Sequence, residues 1–426
     1  MTAPGPSTAL LTDHYELTML ASALADGSGH RPCVFEAFAR RLPGGRRYGV
    51  VAGTGRLLDA ITCFRFGDDE LAQLAPIVPA ETLEWLASYR FSGDVDGYPE
   101  GELYFPGSPL LTVRASFAEG VLLETLVLSV LNHDSAIASA AARMVSAAAG
   151  RPIIEMGSRR THEQAAVASA RAAYLAGFTS TSNLEAGRRH GIPTTGTSAH
   201  AFTLLHDSEE QAFRGQLDVL GTGTTLLVDT YDITKGIDLA IKVAGPELRA
   251  VRIDSGDLGV LARHARAQLD SLGAHNTRIV VSGDLDEFAI AALRAEPVDA
   301  YGVGTSVVVG SGAPTAGMVY KLVEVAGRAV AKRSSHKESR GGRKSALRRH
   351  KETGTALEEL VYQAASPPSG ADFDRVLPIP LIRSGCVVDV PTLEQGRTRL
   401  REALVSVPWE GLKLSHGEPA IPTVFV

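Results

Sequence analysis

Short runs of β-branched residues alternate with longer amphipathic segments from about residue 150 onward. In the longer segments apolar residues recur three and four positions apart and a glycine ends the run, which is typical of helices. This alternation predicts repeated βα units, a parallel sheet and, most simply, an α/β barrel. The predicted strands cover residues 152–155, 177–180, 193–197, 224–228, 248–253, 278–281 and 300–303.

The regions on either side of these units have other patterns. Residues 1–125 contain strand-like stretches between turns rich in Gly and Pro, which predicts a separate, mostly β domain. The barrel domain is then expected over residues 126–330. Residues 331–426 begin with a basic run and continue as a less regular C-terminal segment. The basic run is interpreted either as a mobile, phosphate-attracting loop or as a solvated run of charges.

Composition places the chain among globular α/β proteins. Its 426 residues suffice for two or three domains, or for one barrel with additions. With 44% hydrophobic and 21% charged residues, the chain does not have the composition of a disordered protein. Cys33, Cys63 and Cys386 are isolated, without the short spacing of a zinc site or a disulfide framework. A reducing, cytoplasmic location is therefore expected.

Charge and hydropathy narrow the expected partners to small molecules. A net charge of −6 argues against general affinity for nucleic acid, although a local basic patch could still bind phosphates. The N-terminus lacks a basic start followed by an apolar run, so no export signal is expected. The most apolar stretch, 121–131, contains Glu124 and is shorter than the ~20 residues of a membrane span, so no membrane partner is expected.

Seven polar, Gly-rich motifs follow the predicted strands at their carboxyl ends, where barrel enzymes keep their active sites. The motifs differ from one another, which argues against a repeat protein built from one copied unit. They are MGSRR (156–160), TSTSN (179–183), GTSAH (196–200), DTYD (229–232), RIDSGDL (252–258), SGDLDE (282–287) and GVGTS (302–306).

Acidic residues are concentrated in two of these motifs. The carboxylate of Asp254 or Asp257, beside Arg252, could bind ribose hydroxyls or a Mg²⁺ ion on pyrophosphate. Asp284 and Asp286 repeat this arrangement after the next strand. The alternative for each carboxylate is to cap the helix that follows.

His200 and Asp229 follow two strands that would be neighbours in a barrel. A histidine whose ring is oriented by a carboxylate can attack a phosphoryl group through its free nitrogen, while the carboxylate fixes the tautomer. The alternative is a histidine that only forms hydrogen bonds.

The N-terminal string TDHYELTM (12–19) gathers acidic, imidazole and phenol groups on one turn before a predicted helix. A capped helix start explains it. The alternative is a ligand contact, in which Tyr15 stacks on a flat ring.

These strings occur in the same order in the nicotinate phosphoribosyltransferase family. The chain resembles that family from about residue 10 to the C-terminus, most closely its actinobacterial members. The resemblance implies the fold of type II phosphoribosyltransferases, an irregular (β/α) barrel with a second α+β domain built from N- and C-terminal segments. The most specific matches are TDHYELTM, FARRLPGGRRYGVVAG, MGSRRTHE, GFTSTSN, GTSAH, DTYD, RIDSGDL and YGVGTS.

The resemblance implies ATP-dependent synthesis of nicotinate mononucleotide in NAD salvage. Nicotinate, phosphoribosyl pyrophosphate, ATP and water would give the mononucleotide, pyrophosphate, ADP and phosphate, with Mg²⁺ as a cofactor. His200 corresponds to the histidine that is transiently phosphorylated, and Asp229 to its carboxylate partner. Asp254 and Asp284 are the candidate metal ligands.

The substrate contacts carry over from the same motifs. In the homodimer that the resemblance implies, Asp13 and Tyr15 would contact nicotinate across the subunit interface, with Met156 on the other face of the ring. Lys332 and Lys337 are further basic candidates in the basic loop, residues 328–352. The other assignments are Arg159 to a substrate phosphate, Arg252 to the nicotinate carboxylate or a phosphate, Asp254 to the ribose, and Gly283, Asp284, Gly304 and Thr305 to the 5′-phosphate.

Ser180 bears on substrate choice, because nicotinamide-using relatives carry an aspartate at this strand end. Without that acid, a substrate carboxylate meets no like-charge repulsion. We therefore expect nicotinate to be preferred over nicotinamide.

Two other functions compete with this interpretation. A quinolinate phosphoribosyltransferase shares the architecture but needs no ATP and lacks the paired His and Asp of this type. A barrel that only binds nucleotides would show degenerate site residues, and none of the key positions is visibly lost.

Overall fold

The computed structural model describes residues 5–332, 340–370, 372–388 and 390–426. These residues divide into two compact units. The parallel unit contains residues 140–312, and the antiparallel unit contains the residues up to 139 and from 313 onward. The sequence placed the changes after residues 125 and 330.

The strands of the described residues are numbered in chain order. They are β1 (Pro32–Ala39), β2 (Gly49–Val50), β3 (Asp94–Gly97), β4 (Leu103–Tyr104), β5 (Leu111–Ser116), β6 (Ile153–Glu155), β7 (Ser180–Thr181), β8 (Thr225–Leu227), β9 (Ala250–Ile253), β10 (Arg278–Ser282), β11 (Ala300–Val303), β12 (Met318–Val325), β13 (Arg328–Ala329), β14 (Lys344–His350), β15 (Ala356–Gln363), β16 (Arg375–Val376), β17 (Ile379–Arg383), β18 (Cys386–Val387) and β19 (Thr423–Phe425).

The α-helices of the same residues are numbered likewise. They are α1 (His14–Ala25), α2 (Thr54–Thr62), α3 (Asp68–Leu74), α4 (Ala80–Ser88), α5 (Phe117–Val121), α6 (Glu124–Ala148), α7 (Glu163–Leu175), α8 (Leu184–His190), α9 (His200–Leu204), α10 (Glu209–Leu220), α11 (Ile233–Ala244), α12 (Leu258–Ser271), α13 (Glu287–Ala292), α14 (Thr305–Val308) and α15 (Leu393–Ser406).

The parallel unit is built on one six-stranded sheet in the order β7-β6-β11-β10-β9-β8. Its strands are parallel throughout, as the alternation of strand and helix predicted. Residues such as Ile253, Ile279 and Val281 are fully buried, which suits a parallel sheet covered on both faces by helices.

This sheet is a half-barrel, because β7 and β8 are its two edges among the described residues. The predicted irregular barrel is therefore not confirmed. Residues 193–197, predicted as a strand, contribute only an isolated bridge between Thr181 and Thr194. Pro193 has no N–H to donate, and it pairs only through its carbonyl, which accepts from the Thr181 amide at 3.0 Å.

The antiparallel unit contains a seven-stranded sheet in the order β13-β12-β1-β5-β3-β17-β18. Strand β3 from the N-terminal segment pairs with β17 from the C-terminal segment, so the two segments share one sheet. On β1, Phe35 stacks on Tyr320 of β12 with ring centroids 5.1 Å apart. The first 125 residues also contain helices α1 to α5, besides the predicted strands.

Part of the predicted basic loop is a buried strand. Residues 344–350 form β14, which pairs with β15. Lys344 is buried and lies 2.7 Å from the carboxylate of Glu36. Arg348 is 1% exposed and forms ion pairs with Glu102 at 2.5 Å and with Glu359 at 2.8 Å. Because buried carboxylates compensate these cations, neither a mobile loop nor a solvated charge run describes this stretch.

Among the described residues, the helical stretch Phe117–Ala148, which contains α5 and α6, is long and apolar enough to cross a membrane by length and composition. Of its most apolar window, 67% is buried inside the structure. Buried core helices of globular proteins pass the same test.

Candidate functional site

The polar motifs lie together at one edge of the parallel sheet. Because all six strands run in the same direction, their carboxyl ends share this edge, and six of the seven predicted motifs overlap these ends or follow them within two residues. The seventh, GTSAH, follows residues 193–197, which contribute only an isolated bridge. Barrel and open α/β enzymes place their active sites at such edges. We call this edge the candidate site.

His200 and Asp229 lie close together in the candidate site. His200 begins α9, and Asp229 follows β8. The distance from His200 Nε2 to Asp229 Oδ1 is 4.0 Å, which is an ion-pair distance and longer than a hydrogen bond. The other ring nitrogen, Nδ1, lies 3.1 Å from the hydroxyl of Thr230. The imidazole is 41% exposed, so a ligand can reach it.

The Asp229 side chain is fixed by the next loop. Its Oδ2 accepts hydrogen bonds from the Asp254 amide at 2.9 Å and from the Ser255 hydroxyl at 2.8 Å. Its Oδ1 is buried and has no hydrogen-bond partner among the described residues. Asp229 therefore keeps one free acceptor on the side facing His200.

Arg252 is the half-buried cation of the candidate site. Its Nη1 donates to the Thr197 hydroxyl at 2.6 Å, and its Nε is buried without a partner among the described side chains. Burial lowers the pKa of Arg252; Asp254 and Asp229 oppose this effect, and Arg159 adds to it. Arg252 thus retains donor capacity for an anionic ligand.

Asp254 and Asp284 follow adjacent strands, β9 and β10. Asp254 Oδ1 accepts a short hydrogen bond from Ser282 at the end of β10, which connects the two strand ends. Gly283 has φ +105°, and a Cβ there would lie 2.6 Å from the Asp254 carbonyl oxygen. Only glycine therefore fits at this crossing. Asp284 itself adopts φ +22°.

Two of the other predicted acids cap helices. Asp257 accepts from the Val260 amide at 3.1 Å, at the start of α12. Asp286 accepts from the amides of Phe288 and Ala289 at 2.9 and 2.8 Å, at the start of α13. Asp257 and Asp286 therefore cap helices, which the sequence left open as the alternative to binding a ligand.

Met156 and Ser180 line one end of a cavity of about 600 Å³ in the parallel unit. The cavity extends from there to the amino ends of the strands, where Arg249, Arg278 and Asp299 line it. Ser180 lies inside β7, which ends at Thr181. The first residue beyond the strand is Ser182, which is exposed. The sequence singled out Ser180 alone, but strand ends cannot be located to one residue from sequence. The substrate-choice argument therefore applies to Ser182 as well as to Ser180.

The remaining predicted contacts of the parallel unit surround the same edge. Arg159 is exposed in the loop after β6. Gly304 follows β11, and Thr305 is the first residue of the short helix α14. The amide of Met156 donates to the carbonyl of Val303 at 2.7 Å, which keeps the loops after β6 and β11 adjacent.

Asp13 and Tyr15 belong to the antiparallel unit. Asp13 precedes α1, but its side chain makes no capping hydrogen bond. Tyr15 is 44% exposed, and burial of part of its ring, together with Glu124, raises the pKa of its hydroxyl. The buried carboxylate of Glu16 accepts from the Thr125 amide at 3.0 Å and fixes the helix start.

Comparison with known proteins identifies the family. Residues 10–132 match the model of the nicotinate phosphoribosyltransferase N-terminal domain. A nicotinate phosphoribosyltransferase of Mycobacterium tuberculosis is 66% identical over 422 residues, covering 97% of this chain and 94% of the relative. This chain belongs to the nicotinate phosphoribosyltransferase family.

A second nicotinate phosphoribosyltransferase of M. tuberculosis is 41% identical over 414 residues, with 94% of this chain and 88% of the relative covered. The crystal structure of human nicotinic acid phosphoribosyltransferase matches with a TM-score of 0.85 at 26% identity, covering 97% of both chains. The resemblance inferred from the motifs, including its actinobacterial character, and the α/β fold are confirmed.

Two residues of the candidate site of this nicotinate phosphoribosyltransferase family member were not predicted from the sequence. One predicted residue lies outside the described residues. Thr197, the partner of Arg252, was not singled out because its role depends on a contact 55 residues away. Glu209 is a further carboxylate near the site, and burial, Asp229 and Asp232 raise its pKa. Lys332 is described, whereas Lys337 lies outside the described residues.

Proposed function

We propose that this chain forms nicotinate mononucleotide and pyrophosphate from nicotinate and phosphoribosyl pyrophosphate, and that it couples this reaction to ATP hydrolysis through a phosphohistidine at His200. Membership of the family supports the transferase reaction. One observation carries the ATP-coupled part, namely the free, buried Oδ1 of Asp229 at 4.0 Å from His200 Nε2.

In the phosphoryl step, one ring nitrogen of His200 attacks the γ-phosphorus of ATP, and the bond to the ADP oxygen breaks. Asp229 Oδ1 lies 4.0 Å from the other ring nitrogen; on closer approach it would accept a hydrogen bond from that nitrogen and stabilise the positive ring. With Nε2 facing Asp229, Nδ1 would be the attacking atom, after it leaves its 3.1 Å contact with the Thr230 hydroxyl. Water later attacks the phosphorus, which releases phosphate and restores the histidine.

In the transfer step, the nicotinate ring nitrogen attacks C1 of the ribose while the bond from C1 to pyrophosphate breaks. No protein nucleophile is needed. Arg252 and Arg159 are close enough to influence each other electrostatically, and together they attract the anionic substrates. Catalysis comes from positioning and from stabilisation of the departing pyrophosphate.

The acidic residues suit a Mg²⁺ ion that arrives with its phosphate ligands. Mg²⁺ needs only one or two carboxylates when pyrophosphate oxygens and water complete its shell. Asp254 and Asp284 can supply these, and Ser282 orients the Asp254 carboxylate. No group of three or more His, Cys, Asp or Glu side chains suited to a metal occurs within the described ranges, so a cage made of protein ligands alone does not fit there. When bound, Mg²⁺ would neutralise charge that develops on pyrophosphate.

The subunit arrangement is part of the proposal. A homodimer in the cytoplasm, with Tyr15 and Asp13 of one subunit completing the partner's site, fits the exposed ring of Tyr15 and the uncommitted carboxylate of Asp13. Tyr15 would stack on the pyridine ring, with Met156 on its other face.

The decisive assay measures mononucleotide formation from nicotinate and phosphoribosyl pyrophosphate with Mg²⁺, with and without ATP. The proposal expects strong stimulation by ATP in the native chain and loss of that stimulation in His200→Ala. His206→Ala is the matched control, because His206 lies six residues further along the chain and contacts the Phe202 carbonyl oxygen at 2.8 Å. Labelled γ-phosphate should appear on the native chain and on the control, but not on His200→Ala.

The same assay separates the competing functions. Activity that is indifferent to ATP and to His200 would remove the phosphohistidine and leave the transferase. Activity with quinolinate alone would identify a quinolinate phosphoribosyltransferase. No turnover with any pyridine substrate would favour a protein that only binds nucleotides.

A further inference from the structure

Glu155 is a buried carboxyl group directly behind the candidate site. It is the last residue of β6 and is 1% exposed. Its Oε2 accepts a hydrogen bond from the Thr181 hydroxyl at 2.5 Å, and its Oε1 accepts one from the Gly157 amide at 2.5 Å. Burial raises the pKa of Glu155, and these two bonds oppose that effect. Such a group is costly to bury, so both of its bonds are needed for compensation.

These contacts join two neighbouring loops. The Asn183 side chain donates to the Ser158 hydroxyl at 3.0 Å, and the Asn183 amide donates to Thr181 Oγ1 at 3.0 Å. The Ser182 amide donates to the Glu155 carbonyl at 2.8 Å. The loop after β6 and the turn after β7 are therefore cross-linked through one carboxyl group.

The chain passes close to this carboxyl at Gly157. A Cβ on Gly157 would lie 2.2 Å from Val308 and 2.9 Å from Glu155 Oε1. A larger residue would push the loop away from the carboxyl. The loop that begins with Met156 therefore packs closely against Val308 and the Glu155 carboxyl group.

We propose that Glu155 is a positioning residue for the pyridine substrate. Successive side chains of a strand point to opposite faces, and Ile154 and Met156 line the cavity, so the intervening Glu155 does not. Its two hydrogen bonds fix the spacing between Met156 and Ser180, which bounds the space for a flat ring. The inference rests on the proposed function, since it assigns the end of this cavity between Met156 and Ser180 to nicotinate.

Thr181→Val tests the link with little change in volume. The variant removes the hydroxyl that bonds Oε2, and we expect the KM for nicotinate to rise about three- to tenfold while kcat changes less than about twofold. Thr277→Val is the matched control, because Thr277 is also 1% exposed and donates to the Leu248 carbonyl at 2.8 Å, just before β10 at the other end of the sheet. The free energy of unfolding of the control should fall by a comparable amount, and its KM for nicotinate should stay at the native value.

Glu155→Gln provides a rescue test. The amide oxygen still accepts from Gly157, and the amide nitrogen can donate to Thr181 Oγ1, so the KM should stay close to the native value. Glu155→Ala should raise the KM for nicotinate at least as much as Thr181→Val does.

The outcomes separate this inference from the proposed function. An active native chain whose KM for nicotinate is equal in Thr181→Val and Thr277→Val would overturn the positioning role alone. A fall in kcat without a change in KM would also overturn it. A native chain that forms no mononucleotide would overturn the proposed function and this inference with it.

Discussion

Arg252 Nη1 donates a 2.6 Å hydrogen bond to Thr197 Oγ1, which orients the guanidinium at the end of β9 while its Nε stays unpartnered among the described residues. The arginine is thus held by one neutral contact, although it lies near Asp254 and Asp229. A cation held in this way is suited to bind an anion through its remaining donors.

Arg252→Lys is expected to raise the KM of an anionic substrate at least about tenfold, because an ammonium cannot replace the planar fork of a guanidinium. Steady-state kinetics with nicotinate and with phosphoribosyl pyrophosphate would show which substrate depends on it. Arg266→Lys serves as the control, since Arg266 bonds the Thr277 and Ala274 carbonyls at 2.7 and 2.8 Å at the other end of β10. Equal KM values for both variants would exclude a binding role for Arg252.

Asp229→Asn is expected to reduce stimulation by ATP about 10- to 100-fold and to leave turnover without ATP nearly unchanged. The amide keeps the shape of the side chain, but it carries no charge to stabilise a cationic His200 ring. Initial rates with and without ATP measure the ratio directly.

Asp232→Asn is the matched control within the same DTYD motif. Asp232 caps α11 by accepting from the Lys235 amide at 2.9 Å, and asparagine caps a helix about as well. If both variants kept the same ATP stimulation, the carboxylate of Asp229 would have no part in the phosphoryl step.

The sequence predicted the parallel sheet because buried parallel strands are apolar along their whole length, and the change to polar, Gly-rich residues at their carboxyl ends is sharp. It also predicted that the motifs of His200 and Asp229 would be neighbours, and the 4.0 Å separation agrees with this. It could not predict that residues 193–197 add only one bridge, because local β propensity does not reveal which strands lie at an edge.

The burial of Arg348 and the contacts of Glu155 could not be predicted from the sequence, because they depend on which segments pair in the fold. The charge pattern places Arg348 in a basic loop, yet Arg348 is buried because it pairs with Glu102 and Glu359, which lie 246 and 11 residues away in sequence. Glu155 drew no notice because its partners Thr181 and Gly157 gain meaning only when β6 and β7 are adjacent. A sequence motif shows which residues could take part in a reaction. The contacts that compensate a buried charge can be recognised only once the fold is known.

Ser180→Asp and Ser182→Asp test the basis of substrate choice. A new carboxylate near the pyridine ring should repel the nicotinate carboxylate, so kcat/KM for nicotinate should fall at least about tenfold while that for nicotinamide does not fall. Ser180→Asn and Ser182→Asn have nearly the same shape without the charge. At the position that faces the substrate, kcat/KM for nicotinate should differ more between the Asp and Asn variants. If the Asp and Asn variants gave equal values at both positions, the electrostatic explanation would be refuted.

Glu102 is expected to make folding sensitive to acid. It is buried at 0% exposure, and although burial alone would raise its pKa, Arg348 and Arg375 hold the pKa at about 2. A folded pKa below the unfolded value means that the ionised group stabilises the fold above about pH 4.5, and that this contribution is lost as the pH falls toward about 2. Glu102→Gln should therefore lower the free energy of unfolding by roughly 3–5 kcal/mol at pH 7, because it leaves buried arginine charge uncompensated.

Urea unfolding between pH 7 and pH 3 tests this expectation, since the gap between the native chain and Glu102→Gln should narrow as the pH falls below about 4.5. Glu185→Gln is an informative control. The pKa of Glu185 is also lowered to about 2, through hydrogen bonds from Arg188 and Arg189, but the side chains are exposed on α8 and solvent screens them. The Glu185 variant should unfold like the native chain at both pH values. A gap for Glu102→Gln that stays constant with pH would show that the carboxyl group contributes through packing and hydrogen bonds rather than through its charge.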